Sequence, residues 1–221
     1  IESQYLASRE VADALAERLA EPDGPEIVLV LPRHADSPVE RLAMDGARHK
    51  LLQLLWRADK YDRFRAFYPV TAEGDPIYVH AKVLIVDDVL LRIGSSNLNN
   101  RSLGFDSECD VAIEADPNDP ADGDLRETIL SMRTRLLSEH LGVDHEVFDD
   151  AVAQENSLVG AVDRLTGPGR TLEAFDHETI DGEESVIAEN ELVDPEDARI
   201  GTIDRIYRAV IRRGTRNLLR R

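Results

Sequence analysis

His80-Ala81-Lys82, Asp87 and Gly94-Ser95-Ser96-Asn97 spell H-x-K-x4-D-x6-G-S-x-N without a gap or substitution. Fixed positions at such spacing arise by chance in a chain of this length about once in 10⁵ sequences or less. Tyr78 to Val86 is β-branched and apolar enough to be a strand. Strand side chains alternate faces, so His80 and Lys82 project to one side. An imidazole beside an ammonium suits an anionic phosphoryl group. Asp87 has the opposite parity and stands where the strand ends, so it reads as a structural carboxylate. Val89 to Ile93 reads as the return arm of a hairpin. Gly94 lets the backbone approach a ligand or a neighbouring strand closely. Ser95 and Asn97 then place hydroxyl and amide donors at the strand exit. Taken singly, each residue has a plainer reading: a backbone-bonded histidine, a solvated lysine, a turn at Ser96 to Asn100. Taken together they read as a site, because polar groups gathered without partners are costly.

The pattern resembles the signature of the phospholipase D superfamily. The likeness continues through Asn99-Asn100-Arg101-Ser102 and Glu108, which look like the segment after the second motif of two-motif members. Ile1-Glu2-Ser3-Gln4-Tyr5-Leu6 resembles the family's I-E-N-Q-Y/F segment, with Ser3 replacing Asn. The resemblance covers residues 1 to 115 well. It implies an α/β sandwich with a mixed sheet, and a C-terminal catalytic half whose first motif lies elsewhere. Two histidines share the family's chemistry. One attacks phosphorus and forms a phosphohistidine; the other protonates the leaving alcohol and then activates water or an incoming alcohol. His80 is then expected as the general acid/base. Lys82, Asn97 and Ser95 are expected on the phosphate oxygens, and Glu108 as the acid that orients an imidazole. Asp87 and Gly94 are the motif's structural members. No cofactor or metal is implied, and the sequence has no local cluster of His and Cys ligands. The expected partners are a phospholipid substrate and the half bearing the first motif. A homodimer mate, as in a one-motif endonuclease, is the alternative; a non-enzymatic interaction half-domain is another.

The net charge is −18. Such a surface repels an extended phosphate backbone, which makes nucleic acid an unlikely partner; a salt-adapted acidic surface is the plainer account. The single cysteine, Cys109, cannot form an internal disulfide and is expected in the core of a strand over Cys109 to Ile113. No run approaches the length of a membrane span.

Ser8 to Leu19 reads as a helix capped by Ser8. Glu26 to Leu31 is continuously apolar, as in a strand buried on both faces. Ser37-Pro38-Val39-Glu40 has the form of a capping box opening a helix to Ala58. Leu51, Leu52, Leu54, Leu55 and Trp56 are its core positions. Arg63 to Pro69 reads as a strand and Leu125 to Leu141 as a helix. Residues 1–142 are thus expected to form the catalytic half-domain. Residues 143–221 are expected as an extension, in which Glu173 to Asp197 is an acid-rich solvated excursion. From residue 202 the sign reverses, with seven arginines from Arg205 to Arg221 against Asp204. A basic amphipathic helix there suits an anionic membrane surface or docking on the acidic body. The expected location is cytoplasmic, with membrane association through this tail. His34, His49, His140, His145 and His177 lack motif partners and read as surface or structural.

Overall fold

The short hydrophobic runs and the helices between them assemble into one mixed sheet, seen in a computed structural model that describes residues 1–36, 41–175 and 194. The strands are β1 (Glu2–Ser3), β2 (Ile27–Val30), β3 (Phe64–Val70), β4 (Lys82–Val86), β5 (Leu90–Gly94), β6 (Asp110–Glu114) and β7 (Thr171–Ala174). Their order is β6-β5-β4-β1-β2-β3-β7. β1, β2 and β3 run parallel, while β4, β5, β6 and β7 pair antiparallel with their neighbours.

Helices cover both faces. On one lie α1 (Arg9–Ala20) and α2 (Gly46–Ala58). As the sequence indicates, the Ser8 hydroxyl caps α1 by accepting from Val11 N. Leu19, Leu52 and Leu55 pack with Ile27, Leu29, Leu31 and Phe64 on this face. After α3 (Asn100–Gly104) come α4 (Gly123–Leu141), α5 (His145–Glu155) and α6 (Leu158–Leu165). The last three cover the other face, where Leu137, Phe148 and Val162 meet Val28, Val30 and Phe67. β2 thus divides its side chains between two cores, which is why its sequence shows no polar alternation.

Several expectations are corrected. The strand expected from Tyr78 begins only at Lys82. β1 pairs with β4 no further than Ser3↔Lys82, so residues 78–81 have strand propensity and no strand to pair with among the described residues. Beyond residue 142, β7 pairs with β3 in the same sheet, and α5 and α6 pack on its face. Gly142 turns the chain there at φ 66°. Cys109 is exposed, not core. It precedes β6, an edge strand whose five residues are all exposed. The capping box at 37–40 lies outside the described residues; the chain enters α2 through a π-helical turn, Arg41–Asp45. His177 and the basic tail also lie outside them. Of the acid-rich stretch beyond 175, Asp194 alone is described, and it is fully buried rather than solvated.

Candidate active site

The C-terminal ends of parallel strands gather the loops where ligands bind in open α/β sheets. Here β1 ends at Ser3 and leads into Gln4 and Tyr5, while antiparallel β4 starts at Lys82 beside it. His80 and Lys82 therefore stand at this end. Alternation continues through the extended approach to β4: Val79 and Ala81 enter the α4 side of the core, and His80 and Lys82 face away from it. The Lys82 Nζ lies 3.2 Å from His80 Nδ1 and 3.4 Å from His80 Nε2, and donates to the His80 carbonyl at 2.9 Å. Lys82 is buried and His80 is exposed. Burial pushes the Lys82 ammonium below its ordinary value, and the charge of Glu108 pulls it back up. The two side chains expected together are together, and Glu108 lies within electrostatic reach.

Gly94 ends β5 against Asp110 of β6. A β-carbon at Gly94 would stand 1.8 Å from Asp110 Oδ1 and 2.7 Å from Asp110 Cα. The close approach required of this glycine is to the neighbouring strand. Asp110, absent from the sequence-based expectations, accepts from Ser96 N at 3.2 Å and from the Ser96 hydroxyl, and pairs with Arg92 at 3.0 Å. It fixes the segment that carries Ser95 and Asn97. The Ser95 hydroxyl donates to Glu108 Oε2 at 2.5 Å and accepts from Cys109 N at 2.9 Å. Its proton is thereby engaged by protein. Glu108 is held by Ser102 and Ser95, which keep its carboxyl below the usual range. The contacts of Glu108 are with these serines, not with His80. Asn97 is buried, and its Oδ1 makes no hydrogen bond among the described residues.

Asp87 lies at the other end of β4. Asp87 and Asp88 form a turn in the left-handed region, φ 52° and 55°, closed by Val89 N donating to Val86 O at 3.0 Å. Both line a cavity of about 700 Å³ between β2 and β4, together with Arg133 and Leu137; His80 and Lys82 do not line it. Asp88 pairs with Arg133 at 2.9 Å.

Two residues join the site that the motif does not contain. Gln4 Oε1 accepts from Lys82 Nζ at 2.9 Å, and Gln4 Nε2 donates to the Tyr78 hydroxyl at 2.8 Å. The Tyr78 ring stacks on that of His80 with centroids 6.4 Å apart. Gln4 stood in the recognised first segment, yet its contact with a residue 74 positions away has no local sequence signal. Asp194 supports the site from behind: its carboxylate accepts from Asn100 N at 2.9 Å and Arg101 N at 2.6 Å, at the start of α3. Elsewhere His140 Nε2 meets Glu2 Oε1 at 3.0 Å, a structural pairing across the sheet face opposite Lys82. Among the described residues no three His, Cys, Asp or Glu side chains gather as a metal site, and no helix is long and apolar enough to cross a membrane.

Comparison with known proteins agrees with this arrangement. The model for Phospholipase D matches residues 64–213, and that for Cardiolipin synthase, PLD-like domain, matches residues 1–124. Phospholipase D alpha 2 of Arabidopsis thaliana is 36% identical over 85 residues, 36% of this chain and 10% of that protein. Phospholipase D A of Dictyostelium discoideum is 29% identical over 147 residues, 53% of this chain and 12% of that protein. Phospholipase D zeta 2 of Arabidopsis thaliana is 42% identical over 81 residues, 30% of this chain and 7% of that protein. The matches thus span about a tenth of the length of these relatives. With a motif of this spacing on an α/β sandwich of this topology, the chain belongs to the phospholipase D superfamily.

Proposed function

We propose that the chain supplies the second catalytic motif of a phosphodiesterase that hydrolyses phospholipids or transfers their phosphatidyl group. The observation that carries this reading is the Lys82 ammonium seated against the His80 imidazole at the open end of the sheet, with the buried Asn97 in the same motif. A phosphodiester in front of this group meets a fixed cation and a proton-carrying ring. The imidazole of the other motif attacks phosphorus. As the P–O bond breaks, His80 gives its proton to the leaving alcohol, and Lys82 and Asn97 offset charge on the phosphoryl oxygens. Water, or an alcohol in transfer, then attacks the phosphohistidine. His80 takes its proton, the N–P bond breaks, and both rings return to their starting states. Lipid is favoured over nucleic acid by the acidic surface and by the relatives' names. The arginine-rich residues 202–221 are proposed to hold the enzyme at an anionic surface.

One H-x-K-x4-D motif in the 221 residues leaves a monomer of them short of the second motif imidazole. A phosphodiesterase assay on size-separated fractions tests this: monomeric chain should be inactive, and activity should appear only with a partner supplying the other motif. Robust turnover by the monomer overturns the two-motif reading. In the assembled enzyme His80→Ala should cost at least ~10²–10⁴-fold, and less for a p-nitrophenyl than for a choline leaving group. Equal losses would make His80 the nucleophile.

A further inference from the structure

The Lys82 ammonium has hydrogens to give and no lone pair to accept with. The Gln4 atom 2.9 Å from it is therefore the carbonyl oxygen, which fixes the amide orientation. An amide flip would set two donors face to face. The Gln4 Nε2 is thereby turned to Tyr78 OH at 2.8 Å and Tyr5 OH at 3.1 Å, and it can only donate to them. The Tyr78 oxygen accepts, so its own proton points elsewhere. Among the described residues nothing accepts that proton, and Tyr78 is 41% exposed. Its ring lies against His80, inclined by 28°, so the free O–H is at the rim of the site, one amide away from the phosphate-binding ammonium.

We propose that Tyr78 is a substrate-contacting residue whose hydroxyl, set as a donor by Gln4 and Lys82, hydrogen-bonds an oxygen of the bound phosphodiester. This rests on the reading of the site as a phosphodiesterase. The oxygen belongs to the part of the substrate lying over the His80 ring. The contact is made in the ground state as well as in the transition state, so it governs KM more than kcat.

The test is steady-state hydrolysis of dihexanoylphosphatidylcholine, below its micellar concentration, by the assembled enzyme. Tyr78→Phe keeps the ring stacked on His80 and removes only the hydroxyl. KM is expected to rise about tenfold, the loss of one hydrogen bond, with kcat within about twofold. Gln4→Glu keeps an acceptor for Lys82 but captures the Tyr78 proton on its carboxylate. It should raise KM by itself, and adding Tyr78→Phe to it should cost nothing more, since the proton is already lost to substrate. Melting temperatures of all three variants check that each is folded. KM unchanged in Tyr78→Phe, with wild type active, overturns the contact. An equal tenfold cost of Tyr78→Phe in the Gln4→Glu background overturns the role of Gln4 in directing the proton. Absence of turnover by the assembled wild-type enzyme overturns the phosphodiesterase reading, and this inference with it.

Discussion

Gly94→Ala adds one methyl group at a place where strand meets strand. The new carbon would fall 1.8 Å from Asp110 Oδ1, 2.6 Å from its Cγ and 2.7 Å from its Cα. The carboxylate could swing aside, but the Cα belongs to β6, paired with β5 at Gly94↔Asp110. The backbone of the ladder must therefore move. Overpacking of this kind costs about 1–3 kcal/mol. Swinging Asp110 away also releases the bonds to Ser96 and the pair with Arg92; for partly exposed groups this adds about 1 kcal/mol. A total near 3 kcal/mol corresponds to a fall of about 6–12 °C in melting temperature for a chain of this size. Thermal melts followed by circular dichroism measure it. Activity of the assembled enzyme should fall as well, because Ser96 anchors the segment between Ser95 and Asn97. A variant melting within about 2 °C of wild type would refute the argument that Asp110 needs the empty space at Gly94.

Asp87→Ala should lower stability by about 1 kcal/mol, because alanine tolerates the left-handed region less well than aspartate, while kcat stays near wild type. Lys82→Ala should do the reverse, and melts compared with kcat for the two variants decide the matter. Glu108, held down by Ser102 and Ser95, should titrate below its ordinary value. Its contribution is present above that value and is lost as pH falls through the lower folded one. Carboxyl-carbon NMR should show that titration moving upward in Ser95→Ala, and an unmoved titration would discount the Ser95 bond. Flotation with anionic and neutral vesicles should show binding to the anionic set that disappears on deletion of residues 202–221. Binding that survives the deletion would assign those residues another role.

Local rules made much of the fold legible. Ser8 lies where an N-cap should, and the continuous run of β2 reports burial on both faces because two helical layers claim alternate residues. The motif itself reported its own hairpin and placed His80 beside Lys82. Less legible were features that depend on a neighbour. Tyr78 to Ala81 has strand propensity, yet β1 bends away at Gln4. Cys109 looks like a core residue until the edge position of β6 is known. In α5 and α6, Phe148 with Ala151 and Val159 with Val162 keep helical spacing beyond the turn at Gly142. Gln4, Tyr78, Asp110 and Asp194 act through contacts made across strands or across long stretches of sequence, which periodicity does not report.

The buried carboxylate of Asp194 also has a consequence in time. It binds the first amides of α3 from 93 and 94 residues further along the chain. A ribosome adding about 5–20 residues per second leaves those amides waiting about 5–20 s for their acceptor. His80, Lys82 and Asn97 are made before Asp194, so the helix that follows them is finished only when that aspartate arrives. During synthesis the motif is thus made before the helix beside it can be locked.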